Sequence, residues 1–180
     1  TLNNLYALAI KKSNKTPEVI AKLSEILDYI LYQCKGKYVL LKNEATLLHN
    51  YIALEEVRYG NRVKVSFTED ISNDSKIAPL ILLTFLENAF KHGYDESKGL
   101  LKVKVVVKKN ENDIDIEILD NGVGISEECI GKVYSSQSTE EGIGLSNVHM
   151  RLRLLYGSGL EIENLKVGTI VRFKIPMEAV

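Results

Sequence analysis

The 180-residue chain has no tryptophan, two cysteines, three prolines, and almost no net charge at −1. Each shortage excludes something. Cys34 and Cys129 lack metal-ligand spacing, and so does every pair among His49, His92 and His149, so no zinc site is expected. Two isolated thiols fit a reducing compartment in which both stay free. No apolar run reaches the length of a membrane span, and no signal peptide is visible. The balanced charge, with no basic stretch interleaved with aromatics, gives no reason to expect nucleic acid as a partner. What remains is a chain with a 45% apolar share, ordinary for a protein that builds a core. Its length suits one domain, or one domain with an appendage.

The most informative stretch runs from Pro79 to Gly93. Pro79-Leu80-Ile81-Leu82-Leu83-Thr84-Phe85 is apolar nearly all round, and Leu86-Glu87-Asn88-Ala89-Phe90-Lys91-His92-Gly93 continues it. The two read as one buried helix, with Pro79 at its first position and Gly93 at its stop. Thr84, Asn88, Lys91 and His92 recur at three and four residues and share one face. That polar stripe faces either water at an emerging helix end or a ligand. A metal-bound polyphosphate suits it. The Asn88 amide oxygen is a hard neutral ligand of the kind Mg²⁺ accepts, and Lys91 and His92 can meet phosphate oxygens. Glu87, next to Asn88, points about 100° away.

Around this helix the pattern alternates. Leu2, Leu5 and Ala9 end one helix at Lys11-Lys12. Thr16-Pro17-Glu18 starts another, with Thr16 as its capping hydroxyl. Ile20, Leu23, Leu27, Ile30 and Cys34 then form a bundle-like seam up to Gly36. A hairpin alone buries too little apolar surface. It pairs with a copy of itself, the preferred reading, or folds on the rest of the chain. Tyr38 to Leu41 reads as a short strand. A third helix, capped by Asn43-Glu44, runs to about Tyr59 with Leu47, Leu48, Tyr51 and Ile52 inward. Strict period-two alternation follows around residues 63–67, 102–107, 114–118 and 171–175, with a further strand within 159–165. One buried and one wet face imply a largely antiparallel sheet covered by the helices at 43–59, 79–92 and 145–156.

Asp120 shares its parity with Ile114, Ile116 and Ile118, so its carboxylate follows the core-facing side of the strand. There it needs a donor. The exocyclic amine of adenine is one, whereas guanine would present an acceptor. The bland alternative is an aspartate closing an Asx-turn. Gly122 and Gly124 allow close backbone approach to a flat base, and Ile125 packs on it. Residues 134–141 are polar and aperiodic, as either a lid or a plain loop would be. Gly142-Ile143-Gly144 opens a helix whose inner seam is Leu145, Val148, Leu152 and Leu155. Its free amides can hold phosphate. His149 reads as a packing or surface residue, and Arg151 and Arg153 read either as salt-bridge residues or, for Arg151 rather than Arg153, as a side chain turned toward phosphate.

These three elements, in this order and spacing, resemble the nucleotide-binding elements of the GHKL ATPases: histidine kinases, gyrase-type topoisomerases, heat-shock chaperones and mismatch-repair ATPases. Leu-Glu-Asn-Ala-Phe-Lys-His-Gly is similar to the asparagine element of LytS-type sensor histidine kinases. Thr1-Leu2-Asn3-Asn4-Leu5 resembles that group just after its phosphorylated histidine, so the likeness spans almost the whole chain. It implies an α/β (α+β) two-layer sandwich, the Bergerat ATP-binding fold, preceded by a truncated helical hairpin. Residues 1–36 would be the distal part of a dimerisation hairpin lacking its phosphoacceptor, and 37–180 the catalytic domain. The implied cofactors are ATP and Mg²⁺. Asn88 holds the metal, and Lys91 and His92 join it as catalytic residues. Asp120, Gly122, Gly124 and Ile125 meet the base, and Gly142, Ile143, Gly144 and Leu145 the phosphates. Thr84 stands where gyrase-type members carry a water-activating glutamate, which favours a kinase over an ATP-driven conformational clamp, while the intact Asn88, Asp120 and both glycine elements speak against a dead-pocket binding module. The implied partners are a second copy through the hairpin and a response regulator. The implied location is a cytoplasmic domain of a parent in the cell membrane, reached through segments upstream of Thr1.

One expectation is directly testable. The 180 residues contain no His-Phe-x-x-Asn stretch, and none of the three histidines lies within residues 1–36. Without a nucleophile in line, labelled ATP should leave this chain unlabelled. A version extended upstream by one or two helical turns should take label on the added histidine. Acid-labile label mapped to His49, His92 or His149 would overturn the expectation.

Overall fold

The computed structural model describes residues 2–71, 75–93, 99–135 and 143–177. Two helices open it, α1 (Leu2–Ile10) and α2 (Thr16–Asp28), and α2 continues through a π-helical segment, Tyr29–Gln33. Strand β1 (Val39–Leu40) leads into α3 (Leu41–Tyr59), then β2 (Val63–Asp70), β3 (Lys76–Ile77) and α4 (Ile81–Gly93). The hairpin β4 (Leu101–Lys109) and β5 (Asp113–Asp120) precedes α5 (Glu127–Ser135) and α6 (Ile143–Tyr156). The hairpin β6 (Glu161–Asn164) and β7 (Thr169–Pro176) ends the fold.

The main sheet has the order β2-β4-β5-β7-β6, and β1 pairs with β3 apart from it. All its pairs are antiparallel except β2 with β4, which run parallel. The sheet is therefore mixed, for a topological reason: β3 and α4 cross between β2 and β4 and return the chain in the same direction. The alternation expected from the sequence is present. Val103, Val105, Val107, Ile114, Ile116, Ile118, Val171, Phe173 and Ile175 are buried. Helix α4 lies against them, with Ile81, Leu82, Leu83, Phe85, Leu86, Ala89 and Phe90 all buried. Phe85 stacks on Phe173 at 5.4 Å between ring centroids. Leu47, Leu48 and Ile52 of α3 complete this core, while Tyr51 is only half-buried.

Three helix boundaries differ from the sequence reading. Thr16 is the first helical residue of α2 and caps nothing; its hydroxyl is buried without a partner. Helix α3 begins at Leu41 rather than at an Asn43-Glu44 cap. Glu44 is instead fully buried. Its carboxylate accepts the Tyr29 hydroxyl at 2.7 Å and, through both oxygens at 3.0 Å, the Leu80 N–H. Helix α4 begins at Ile81, two residues beyond Pro79, because Leu80 sits in the left-handed region at φ 64°. The same approach to α4 is held from α6. The Ala78 N–H donates to the Tyr156 hydroxyl at 2.7 Å, and Arg151 donates to the Pro79 carbonyl at 3.1 Å.

The seam assigned to the N-terminal hairpin is also divided. None of its five residues is buried; the buried positions are Val19, Ile26 and Tyr29, a neighbouring stripe on which α2 packs against α3. Leu23, Ile30 and Cys34 are half-buried, while Ile20 and Leu27 are about half exposed, at 51% and 48%. Leu31 and Tyr32, with Leu2, Tyr6 and Ile10 of α1, extend that exposed apolar surface.

Burial raises the Glu44 carboxyl above its ordinary range, against the opposing pull of Leu80, Tyr29 and Arg151. A raised native pKa favours the protonated form in the fold. The linked stability is complete below the ordinary carboxylate value and declines as pH rises through the raised one. Glu44→Gln should flatten that decline in denaturant titrations from pH 4 to 8. Tyr29→Phe should cost about 1–2 kcal/mol for one buried bond to a carboxylate. A wild-type stability that rises steadily over that range would contradict the assignment.

Candidate active site

A cleft of about 390 Å³ opens where the C-terminal half of α4 meets the ends of β5 and β7. Helix α4 supplies Asn88, Lys91, His92 and Gly93; β5 supplies Ile118 and Asp120; β7 supplies Thr169 and Val171. Val123, Gly124, Ile125 and Ser126 form one wall, and Gly144 and Leu145 of α6 another. Of the sequence-expected residues, Asn88, Lys91, His92, Asp120, Gly124, Ile125, Gly144 and Leu145 line one concavity, with an apolar lining from Phe85, Ile118 and Val171, whereas Gly122 lines only the groove behind residues 123–126.

The strand registers explain the polar end at the base of the cleft. Ile118 pairs with Val171, and Asp120 with Thr169, so alternate core-facing side chains of two neighbouring strands emerge together. Asp120 is half-buried, and its Oδ1 accepts the Gly122 N–H at 2.8 Å. It therefore closes an Asx-turn and lines the cleft at once. Burial raises its carboxyl, while the Gly122 and Thr169 backbones pull it back down. Two such bonds still leave acceptor capacity on the carboxylate.

Glycine is required where the walls meet. A Cβ on Gly122 would lie 2.5 Å from the Gly93 Cα, 3.1 Å from the Gly93 carbonyl oxygen and 2.9 Å from the Asp120 Oδ1. Gly168, at φ 87°, would place one inside the Asp120 carbonyl group. A Cβ on Gly144 would lie 3.2 Å from the Thr84 methyl and 3.7 Å from the Asn88 amide nitrogen, so α6 begins directly against the polar stripe of α4.

Asn88 carries the clearest sign of a missing partner. Its Nδ2 is buried and has no hydrogen-bond partner. Buried amides are normally satisfied. A ligand that accepts from the nitrogen and takes the oxygen as a metal ligand fits that position, as a phosphate with Mg²⁺ does. Lys91 and His92 are exposed at the rim of the same cleft. The residues present therefore fit both ATP and Mg²⁺.

Other expectations fare differently. Gly142 and residues 136–141 lie outside the described residues, as does the side chain of Ile143, although Ile143 opens α6 as expected. Tyr134 and Ser135 belong to α5 rather than to a lid, and the Tyr134 hydroxyl accepts the Ile162 N–H at 3.0 Å. Arg151 faces the Pro79 carbonyl and does not line the cleft. His149 is a packing residue: it is buried, and its Nδ1 accepts the Leu160 N–H at 3.1 Å. Glu87 stands outside the cleft, its carboxyl raised by partial burial and by Glu55. Among the described residues no group of three or more His, Cys, Asp or Glu is placed to hold a metal ion. Sequence reasoning missed Thr169, which shares the parity of Val171 and Phe173, and the Cys129 thiol in the wall of the cleft. It also missed Asn164, which bonds the backbone of Ile125 and which only the strand pairing brings near.

Known proteins are similar to this chain in sequence and in fold. The histidine kinase-, DNA gyrase B-, and HSP90-like ATPase family matches residues 73–179, and the histidine kinase family matches residues 1–63. The sensor histidine kinase YpdA of Escherichia coli is 34% identical over 159 residues, covering 88% of this chain and 28% of its own length. The sensor protein LytS of Enterococcus faecalis is 32% identical over 184 residues, covering 98% of this chain and 31% of its own. This chain thus spans under a third of those relatives. The histidine kinase domain of the blue-light activated kinase EL346 from Erythrobacter litoralis superposes with a TM-score of 0.62 at 18% identity, over 95% of this chain and 83% of that one. The two-layer fold is therefore that of histidine kinase catalytic domains.

The close approach of Gly93 and Gly122 can be tested apart from any ligand. Gly122→Ala should destabilise the fold by about 1–3 kcal/mol in denaturant unfolding, since the nearest atom, the Gly93 Cα, is backbone. Gly131→Ala, inside α5 with nothing within 4 Å, should stabilise it by up to about 1 kcal/mol. Equal effects at the two sites would contradict the packing described.

Proposed function

This chain belongs to the histidine kinase-, DNA gyrase B-, and HSP90-like ATPase family, and from that premise we propose that it is the ATP-binding catalytic part of a two-component sensor histidine kinase. The observation that carries the reading is a single cleft holding an unpartnered Asn88 amide, the Asp120 carboxylate and the first turn of α6. Asp120 accepts the exocyclic amine of adenine, with Ile118, Val171 and Ile125 beside the ring. Gly122 and Gly124 let the backbone approach it. Asn88 holds Mg²⁺ through its amide oxygen. Lys91, His92 and the amides from Gly142 to Leu145 hold phosphate oxygens at a helix N-terminus. Bound Mg²⁺ supplies neutralisation of the phosphate charge, and position and charge are most of what phosphoryl transfer needs.

The acceptor in this reading is a histidine outside the chain, and the phosphoryl group passes on to an aspartate of a response regulator. Residues 1–36 form the distal part of a dimerisation hairpin and 37–180 the catalytic domain. The exposed apolar surface of Leu2, Tyr6, Ile10, Ile20, Leu27 and Leu31 supports pairing with a second copy. Among the described residues no helix is long and apolar enough to cross a membrane. The proposal places this part on the cytoplasmic side of a parent protein in the cell membrane.

Calorimetry with ATP and GTP, with and without Mg²⁺, tests the site. ATP should bind at least tenfold tighter than GTP. Asp120→Asn should weaken ATP binding and narrow that preference, and Asn88→Ala should remove the Mg²⁺ dependence. Because burial raises the Asp120 carboxyl, protonation at falling pH turns it into a donor that guanine accepts, so selectivity should narrow in acid. Equal affinity for the two nucleotides at neutral pH would reject adenine recognition by Asp120.

A further inference from the structure

The wall of the cleft formed by residues 123–126 has open space on both sides. Val123, Gly124, Ile125 and Ser126 line the cleft on one face and a second, shallower groove on the other. Among the described residues, neither Val123, Gly124 nor Ile125 makes a backbone–backbone hydrogen bond. Gly124 lies in the left-handed region at φ 86°, and Val123 is 55% exposed. Backbone pairing therefore does little to hold this segment in place, and of its apolar side chains Ile125, partly buried, is the one that packs against the core.

One side chain does hold it. Asn164 is the last residue of β6, paired with Thr169 of β7. Its Oδ1 accepts the Ile125 N–H at 2.9 Å, and its Nδ2 donates to the Ile125 carbonyl at 2.5 Å. Both bonds go to one residue, as between two strand residues that exchange N–H and C=O. The amide thus stands in for a neighbouring strand. Both contacts need the two faces of a carboxamide: aspartate has no donor, and alanine has neither group. A Cβ on Gly124 would lie 3.2 Å from the Asn164 oxygen, so the clamp also sits tight against the glycine before Ile125.

We propose that Asn164 is a positioning residue for the nucleotide base. It acts through Ile125, fixing that side chain on the cleft side of the wall, and without it the wall relaxes toward the second groove. The proposal rests on the reading of the cleft as an ATP site. It assigns to β6, which does not line the cleft, a share of the affinity for adenine.

Asn164→Ala and the isosteric Asn164→Asp test it by two readouts. In the nucleotide-free protein, hydrogen exchange at the Ile125 amide should accelerate at least tenfold in Asn164→Ala. In calorimetry, both variants should bind ATP and ADP about tenfold more weakly, by the same factor for each nucleotide, because the two share one base. Asn164→Asp should be no better than Asn164→Ala, since its second oxygen faces the Ile125 carbonyl with no proton between them. A general loosening of the fold would instead lower the unfolding midpoint, which should stay within a few degrees of wild type. Unchanged exchange at Ile125 overturns the clamp. Faster exchange with unchanged affinity overturns its role in base binding. A wild-type chain that binds neither nucleotide, yet shows faster Ile125 exchange in Asn164→Ala, overturns the ATP reading and with it the role in base binding.

Discussion

The placement of α4 depends on how the chain enters it at residues 78–80. Three side chains from two other helices hold that approach: Glu44 on the Leu80 N–H, Arg151 on the Pro79 carbonyl, and Tyr156 on the Ala78 N–H. Leu80 is kept left-handed, a conformation that costs a non-glycine residue roughly 1–2 kcal/mol. Hydrogen bonds to buried partners are of a size to offset it. The consequence is rotational. Each residue by which the helix start slips turns the helix by about 100°, and a slip of one would carry Asn88 off the cleft. Glu44 also accepts Tyr29, so the N-terminal hairpin and the start of α4 share one buried carboxylate.

At its other end α4 stops against the β5 loop, where Gly93 and Gly122 leave no room for a side chain. The strand register then sets Asp120 beside Thr169, and the first turn of α6 comes to rest on Thr84 and Asn88. The cleft is thus a junction of three element ends. None of the elements alone would carry it. It sets an apolar face from Phe85, Ile118, Val171 and Leu145 against polar groups from Asn88, Lys91, His92, Asp120 and Thr169, a composition suited to a flat base with a charged tail.

Much of this was legible in the sequence. Period-two alternation located the long strands, because one face of the sheet is buried and the other wet. Parity turned Asp120 inward, and helical spacing gathered Asn88, Lys91 and His92 on one stripe. The misses share a cause: they depend on partners distant along the chain. The parallel pairing of β2 with β4 follows from the route of the crossover, which local pattern does not encode. Glu44 looked like an N-terminal acid, and only the arrival of Tyr29 and Leu80 makes it a buried acceptor. Leu80 gives no sign of positive φ in a run of apolar residues. On α2, both stripes are apolar, so spacing alone could not say which packs on α3 and which stays exposed. Arg151 was aimed at phosphate for its charge, but the Pro79 carbonyl lies nearer.

In the proposed function the cleft seats an adenine nucleotide with its base at Asp120 and its metal at Asn88. A crystal structure of the chain with Mg²⁺ and a non-hydrolysable ATP analogue tests it most directly. The exocyclic amine should lie within hydrogen-bonding distance of the Asp120 carboxylate, with Mg²⁺ on the Asn88 amide oxygen. Nucleotide bound elsewhere, or seated with its phosphates at Asp120, would contradict it.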